Sequence, residues 1–409
     1  RLAAWRTPAG RPRVAVICTD AGIPVFGTKG ASIHVQSVVR AALKAGHRVT
    51  LFATRFDGPI PPGLEGAACV QLPELPQGDP EKRAHAALQS HPRIAALLYE
   101  HHGPFDLVYE RYSLWSDVGM RWARVQHIPG VLEVNAPLIE EQRTHRGLVL
   151  ETEAQAMAAS AFSRASALVA VSPGVADYLH TWPGTRGRVH VVANGVDPAP
   201  YDDSAARRQA RHEQAAAGQD ETVIGFLGTL KPWHGLPMLV DAFARLHRQH
   251  PRTRLLVVGD GPERTNMESA LTAQGLLGHC EFTGAVQARE VPALLARMDI
   301  ATAPYPQQQN FYFSPLKIYE YLAAELPVVT TRVGHLDTVV LDGVDGLLVP
   351  PGDPDAFAAA LARLLENPSE RRTMGQRGRA RVLAEHSWDA VTARLLDIAG
   401  ATAASERAA

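Results

Sequence analysis

Residues Asn310 to Val329 read NFYFSPLKIYEYLAAELPVV. Aromatic side chains lead into Ser314 and Pro315, residue types preferred at a helix N-cap and at the first helical position. A good helix-forming run then continues through Ala324, and a buried strand follows Pro327. Lys317 stands in the first turn of that helix, where a cation opposes the macrodipole and costs stability. The placement is explicable at a helix terminus that receives an anionic ligand. Glu320, three residues on, admits two readings: a helical salt bridge with Lys317, or a carboxylate holding the vicinal hydroxyls of a ribose.

Working outward, this helix and strand close a longer alternation. Strands are expected at Val223 to Leu227, Arg254 to Val258, Cys280 to Phe282, Ile300 to Ala303 and Pro327 to Thr330. An earlier series runs through Val14 to Cys18, Arg48 to Ala53, Asp106 to Tyr109, Gly130 to Val134, Ala167 to Val171 and Val189 to Val192, with helical segments between most of them. Short apolar strands alternating with amphipathic helices predict an α/β fold with a parallel, doubly wound, Rossmann-like sheet, here written twice. The turn-rich stretch Asn194 to Asp202 suits the connection. We place an N-terminal domain at 1–199 and a C-terminal domain at 200–385, with a last helix at about 386–409 packing back on the first domain. Ligands of such sheets bind beyond the carboxyl ends of the strands, so the active site is expected where two such ends face across a cleft.

The 409 residues are too many for one ordinary core, which agrees with about two domains. Lys and Arg number 41 against 42 Asp and Glu, and this balance argues against a nucleic-acid partner. The near balance of charge in the first 200 residues likewise does not suggest a patch for anionic membranes. No apolar run reaches the length of a transmembrane segment, and Arg1 to Arg13 lacks the long apolar core of a secretory signal, so a soluble cytoplasmic protein is expected. Cys18, Cys69 and Cys280 lie far apart, which offers neither a disulfide framework nor metal-ligand spacing. A homodimeric partner stays open.

Two loops follow strands and open helices. DAGIPVFGTKG, Asp20 to Gly30, has glycines that allow close backbone approach, and free amides at the helix start favour an anion; a simple tight turn is the plainer alternative. His34, inside that helix, reads as a packed or capping histidine. GTLKPWHG, Gly228 to Gly235, adds Lys231 and His234. Lys231 can offer a point charge to a diphosphate, and His234 a hydrogen bond that strengthens on protonation near an ordinary pKa of about 6.5. Solvated surface residues are the bland reading for both.

With these motifs in view the chain resembles, over nearly its whole length, the retaining glycosyltransferases of the GT-B fold in the large family numbered four. That family carries a Glu, seven residues, Glu motif in its second domain. Glu320 matches the second Glu, and Tyr312 stands at the first, within the variant Ser-Pro-Leu-Lys-x-Tyr-Glu-Tyr. The resemblance implies that Glu320 holds the donor ribose. It implies too that backbone amides from Phe313 through Ser314 to Leu316, with Lys317, hold the donor sugar and diphosphate. The family's diphosphate-binding Arg and Lys fall on Thr229 and His234, so Lys231 or Lys317 is expected to replace the charge. Gly30 matches the second glycine of the family's first-domain loop, and Val286 would meet the base through its backbone. Asn135 occupies the position of a frequent family histidine. On the acceptor side Glu110, Glu133, Asn135 and Glu140, near Arg111 and Glu141, form a carboxylate-rich set that would suit a cationic acceptor such as an aminocyclitol or amino sugar.

The resemblance further implies retention at the anomeric carbon without an obligate protein base, Lys231 and His234 serving catalysis by stabilising the departing diphosphate. Domain closure would exclude water. No Asp-x-Asp motif is evident, so no metal and no cofactor is expected, the nucleotide sugar being a substrate, taken as UDP-linked. A soluble small-molecule acceptor in natural-product assembly is favoured. The alternatives are transfer in cell-envelope polysaccharide or glycolipid assembly, a nucleotide-sugar epimerase or phosphorylase on the same fold, and a non-catalytic binding module.

Overall fold

A computed structural model describes residues 11–101, 103–215, 220–309 and 311–408, so the first ten residues, Asn310 and the end of the expected last helix lie outside the described part. The chain divides into two units, one of 1–194 with 312–314 and 388–409, the other of 195–311 with 315–387.

The first unit holds seven parallel strands: β1 (Arg13–Cys18), β2 (Arg48–Ala53), β3 (Ala68–Gln71), β4 (Leu107–Arg111), β5 (Gly130–Val134), β6 (Ala167–Ala170) and β7 (Val189–Val191). Their order across the sheet is β3-β2-β1-β4-β5-β6-β7. The second unit holds six: β8 (Thr222–Leu227), β9 (Thr253–Val258), β10 (Cys280–Phe282), β11 (Ile300–Ala303), β12 (Val328–Thr331) and β13 (Gly346–Val349), in the order β10-β9-β8-β11-β12-β13. Each sheet therefore reverses its winding beside its own first strand, at β1/β4 and at β8/β11. Such switch points open a crevice beyond the strand ends. Two strands escaped the reading above. β3 is a short edge strand, and β13 sits inside the turn-rich Asp342 to Gly352.

The strands form because apolar, largely β-branched runs can be buried on both faces by helices. In β1 Ala15 and Ile17 enter one core, while Val14, Val16 and Cys18 enter the other. The second core is completed by Val391, Leu395 and Ala399 of the helix Trp388–Ala408, which packs in this unit. In the second unit the helix Leu236–Gln249 buries Leu236, Leu239, Val240, Phe243 and Leu246, the spacing of one helical face. Threonines then tie strands to neighbouring backbone. Thr302 Oγ1 donates to the Gly225 carbonyl at 2.8 Å, and Thr330 Oγ1 to that of Ala303 at 2.7 Å.

Among the described residues no helix is long and apolar enough to cross a membrane, and no group of His, Cys, Asp and Glu is arranged to hold a metal ion.

Candidate functional site

In the second unit the switch point is built on the Gly228 to Gly235 loop after β8. Gly228 has φ +146°, and a Cβ there would come within 2.7 Å of Lys317 Nζ. Gly235 has φ +71°, and its Cβ would strike the Pro304 carbonyl at 1.7 Å. Both positions need glycine, one to admit the lysine and one to bring the loop against the segment after β11. A backbone bond from Leu230 N to the Asp260 carbonyl, 2.9 Å, joins the loop to the Gly259 to Pro262 turn. That turn meets Gly284 through an isolated bridge, and Val286 lies half-buried two residues further on.

Lys317 is the unusual group of this unit. Its Nζ is buried and, among the described residues, has no hydrogen-bond partner. It lies 4.2 Å from the centre of the Phe226 ring and 5.5 Å from that of Tyr305, so ring quadrupoles supply part of its stabilisation. Burial pulls its pKa down to about 7, against a smaller opposing pull from Glu320. Glu320 is displaced the other way. Burial raises its pKa, although Tyr201 and Lys317 oppose the rise, and Tyr201 Oη donates to its Oε1 at 3.1 Å. For this lysine and glutamate, burial outweighs their mutual attraction and drives both toward neutrality. Tyr201 gave no signal in the sequence, where it closes the turn-rich connection. Tyr321 went unnoticed too: its hydroxyl receives Leu227 N at 2.7 Å and donates to the Thr302 carbonyl at 3.0 Å, locking the helix to β8 and β11.

Two expectations for the donor-side residues are corrected. Ser314 does not cap the helix, which runs Leu316–Ala323 with Pro315 at the N-cap and no side-chain cap; the Ser314 hydroxyl is buried without a partner. Leu316 is exposed, and Phe313 packs edge-on to Tyr312 with ring centres 6.3 Å apart. His234 is no cation near pH 6.5, since burial first, then Lys317 and Lys231, lower its pKa to about 4. Its Nδ1–H donates to the Thr229 carbonyl at 2.5 Å, which leaves Nε2 as an acceptor. Thr229 is otherwise exposed, and Lys231 lies 5.7 Å from the Trp233 ring centre. The structure thus gathers Thr229, Lys231, His234, Lys317 and Glu320 around one switch point.

In the first unit the expected carboxylates behave differently. Glu133 is a hub: its oxygens receive Asn135 Nδ2 at 2.7 Å, His34 Nε2 at 2.9 Å, Arg111 Nη1 at 3.3 Å and the Tyr109 hydroxyl. Burial would raise its pKa, but His34, Arg111 and Tyr109 outweigh it and hold the group at about 2. Glu110 receives Met120 N at 3.1 Å at the start of the helix Val118–Val125, and burial and Asp117 raise its pKa to about 8. These two carboxylates, with Asn135, are engaged by the protein's own donors, whereas Glu140 stands beside the Tyr178 hydroxyl. His34 is packed edge-on to Trp388, ring centres 4.8 Å apart. Gly30 starts an uncapped helix, Gly30–Lys44, in open space. The loop before it is held by Gln36 Nε2, which donates to the carbonyls of Val25 at 2.9 Å and Gly27 at 2.8 Å.

Residues 28–200 match Glycosyltransferase Family 4, and residues 221–367 match the glycosyl transferases group 1 family. The chain is a family 4 glycosyltransferase. Among curated relatives of this glycosyltransferase, a D-inositol 3-phosphate glycosyltransferase of Salinispora tropica is 28% identical over 92% of the chain and 82% of the relative. A glycogen synthase of Mycobacterium tuberculosis is 25% identical over 94% and 93%. Of solved structures, Anabaena HepE in complex with UDP superposes with a TM-score of 0.67 at 19% identity, covering 94% of the chain and 98% of HepE. Sucrose-phosphate synthase from Thermosynechococcus elongatus gives 0.64 at 21%, covering 94% and 97%. Both likenesses place the glycosyltransferase in the GT-B fold.

Proposed function

We propose that this glycosyltransferase moves a sugar from a UDP-sugar to a hydroxyl of a small acceptor, with retention at the anomeric carbon. The observation that carries the donor site is Lys317: a buried ammonium with no partner, set against Gly228 beside an uncapped helix start. An unpaired buried cation is costly, and a diphosphate supplies the missing charge. Lys317 and Lys231 then stabilise the leaving diphosphate, together with the first amides of the helix Leu316–Ala323. Glu320, oriented by Tyr201, accepts hydrogen bonds from the ribose hydroxyls. His234, uncharged, accepts one at Nε2 from a donor-sugar hydroxyl rather than donating to phosphate. Val286 meets the base through its backbone.

The bond from the anomeric carbon to phosphate oxygen breaks as the acceptor oxygen attacks from the same face. The acceptor proton passes to the departing phosphate oxygen, so charge stabilisation falls to the lysines and amides, and no protein base or metal is given a part. On the acceptor side Glu140 is the carboxylate left for an amino or hydroxyl donor.

Calorimetric titration of the whole chain with UDP, GDP, dTDP, ADP and their common sugar conjugates tests the reading. One base should bind at micromolar level and tighten with one sugar. Tighter binding of GDP would replace the base, in keeping with a mycobacterial relative named for GDP-mannose dependence, 32% identical over 53% of this chain and 57% of its own. Binding of none would remove the donor site. An epimerase would consume the nucleotide sugar with no acceptor present.

A further inference from the structure

On the edge of the second sheet away from the Gly228 to Gly235 loop lies a cavity of about 560 Å³, the size of a small-molecule site. The helices Ser204–Gln214 and Pro368–Arg381 wall it, and Asp220, Asp299 and Pro327, which lead into β8, β11 and β12, line its floor. These floor residues precede their strands, whereas the Gly228 to Gly235 loop leaves the carboxyl end of β8. The cavity is therefore a separate place on the same unit.

Arginines dominate its walls. Arg208 is held by carbonyl oxygens: Nε donates to Met298, Nη2 to Ala324 at 3.0 Å and Nη1 to Glu325 at 3.3 Å. Arg371 Nη1 likewise donates to the carbonyls of Leu364 at 3.3 Å and Leu365 at 3.4 Å, and Arg372 beside it is exposed. The deepest carboxylates are already matched. Asp299 takes Arg211 Nη2 at 2.6 Å and His212 Nε2 at 2.7 Å, and Asp220 takes His212 Nδ1 at 2.6 Å, which keeps that histidine's pKa raised. Glu213 receives Gln209 Nε2 at 2.7 Å, and Glu325 stands near Arg208. Among the described residues no ion pair reaches Arg208, Arg371 or Arg372, and Arg211 Nε is buried with no partner. Burial lowers the pKa of Arg208 to about 10 and lowers that of Arg371, in each case against the pull of Asp299. The guanidinium groups of this cavity are thus short of negative charge.

We propose that this cavity is an effector site for a small polyanion, a metabolite with two or more carboxylate or phosphate groups, and that its occupation weakens donor binding. Planar guanidinium groups suit both anions, which they can meet through paired N–H donors. The link to the donor site is one helix. Leu316–Ala323 carries Lys317 and Glu320, and the carbonyls at its closing end are gripped from the cavity walls, Ala324 and Glu325 by Arg208 and Ala323 by Arg379 Nη1. A bound anion competes with those carbonyls for Arg208 and offsets the positive charge held at that end, so the helix is less firmly placed for a diphosphate. The site itself is independent of the transferase reading; its effect on the donor rests on that reading.

Calorimetry on the whole chain tests this, with citrate and pyrophosphate as probes and the donor site first filled with UDP or GDP, whichever binds. One equivalent of citrate, of pyrophosphate or of each should bind, and the better probe tells a carboxylate effector from a phosphorylated one. Arg371→Ala should weaken that binding about tenfold and Arg372→Ala about fivefold, with nucleotide affinity measured without anion unchanged. Arg372 is exposed, so its variant keeps the test readable if Arg371→Ala fails to fold. Saturating anion should weaken nucleotide binding about threefold or more, and the nucleotide should weaken anion binding by the same factor. Binding of neither probe at about 10 mM, a concentration that reveals even millimolar affinity, overturns the site. Binding that both substitutions leave unmoved puts the anion elsewhere and overturns it too, and nucleotide affinity indifferent to bound anion overturns the coupling. If no nucleotide binds, the transferase reading falls, and the same titration on the free chain still decides the cavity.

Discussion

Glu133 in the first unit and Lys317 in the second are both buried charges beside a sheet switch point, yet their surroundings are opposite. Glu133 receives hydrogen bonds from four side chains, whereas Lys317 Nζ receives only the faces of two rings. The contrast shows up in the pKa values: partners overcome burial at Glu133 and hold it at about 2, while burial prevails at Lys317 and brings it to about 7. A satisfied charge supports the fold; an unsatisfied one, on the function proposed above, is completed by a ligand.

The sharpest way to break this comparison is to remove each charge. Glu133→Leu should cost about 3–5 kcal/mol, because Arg111 and His34 are left unpaired in the interior. A denaturant midpoint shift at unchanged slope would show it. In the native protein the Glu133 contribution is fully present above the ordinary carboxylate pKa and is lost as pH falls through about 2. Lys317→Met should do the reverse: stability unchanged or higher, and UDP-sugar affinity lower by roughly 10- to 100-fold, about 1.4–2.7 kcal/mol, by calorimetry. If Lys317→Met unfolds the protein, the lysine is structural and the contrast disappears.

A pH series sharpens the same point. Below about 7 the free protein already carries the Lys317 proton; above it, binding must recapture that proton, so affinity should fall by up to tenfold per pH unit. A nucleotide sugar is the right probe, because its diphosphate does not titrate in this range. His234, down at about 4, should add no step near 6.5. A flat profile from 6 to 9 would remove Lys317 from the site. A further effect is expected at Glu110. Its carboxyl stays protonated to about 8 when folded, while the unfolded chain ionises near the ordinary value, so native stability declines as pH rises across that interval. Glu110→Gln should flatten the decline, read as the midpoint difference between pH 5 and pH 8.

The double α/β architecture was legible because alternation is a local property of the chain. β3 and β13 were not, since ACVQ is too short to show a period and GLLV is framed by glycine, aspartate and proline. The closeness of Thr229 to His234 and of Lys317 to Glu320 was legible for a similar reason, since both are compact motifs. Illegible were the partnerships made across the fold. His34 meets Glu133 from 99 positions away, and Tyr201 meets Glu320 from 119. Those bonds decide which carboxylates already have partners inside the fold. Helix-capping preference also misled at Ser314, where Pro315 takes the N-cap and the hydroxyl turns into the interior.

The first unit is discontinuous: its sheet is complete by Val191, but the helix whose Val391, Leu395 and Ala399 seal one face begins only at Trp388. During synthesis that apolar face is therefore exposed while nearly two hundred further residues are made, and the second unit is available to fold before the first is closed. The usual order, in which the N-terminal domain finishes first on the ribosome, is not open to a unit whose core is completed by residues after Trp388. A nascent chain halted before Trp388 is the form most in need of a chaperone.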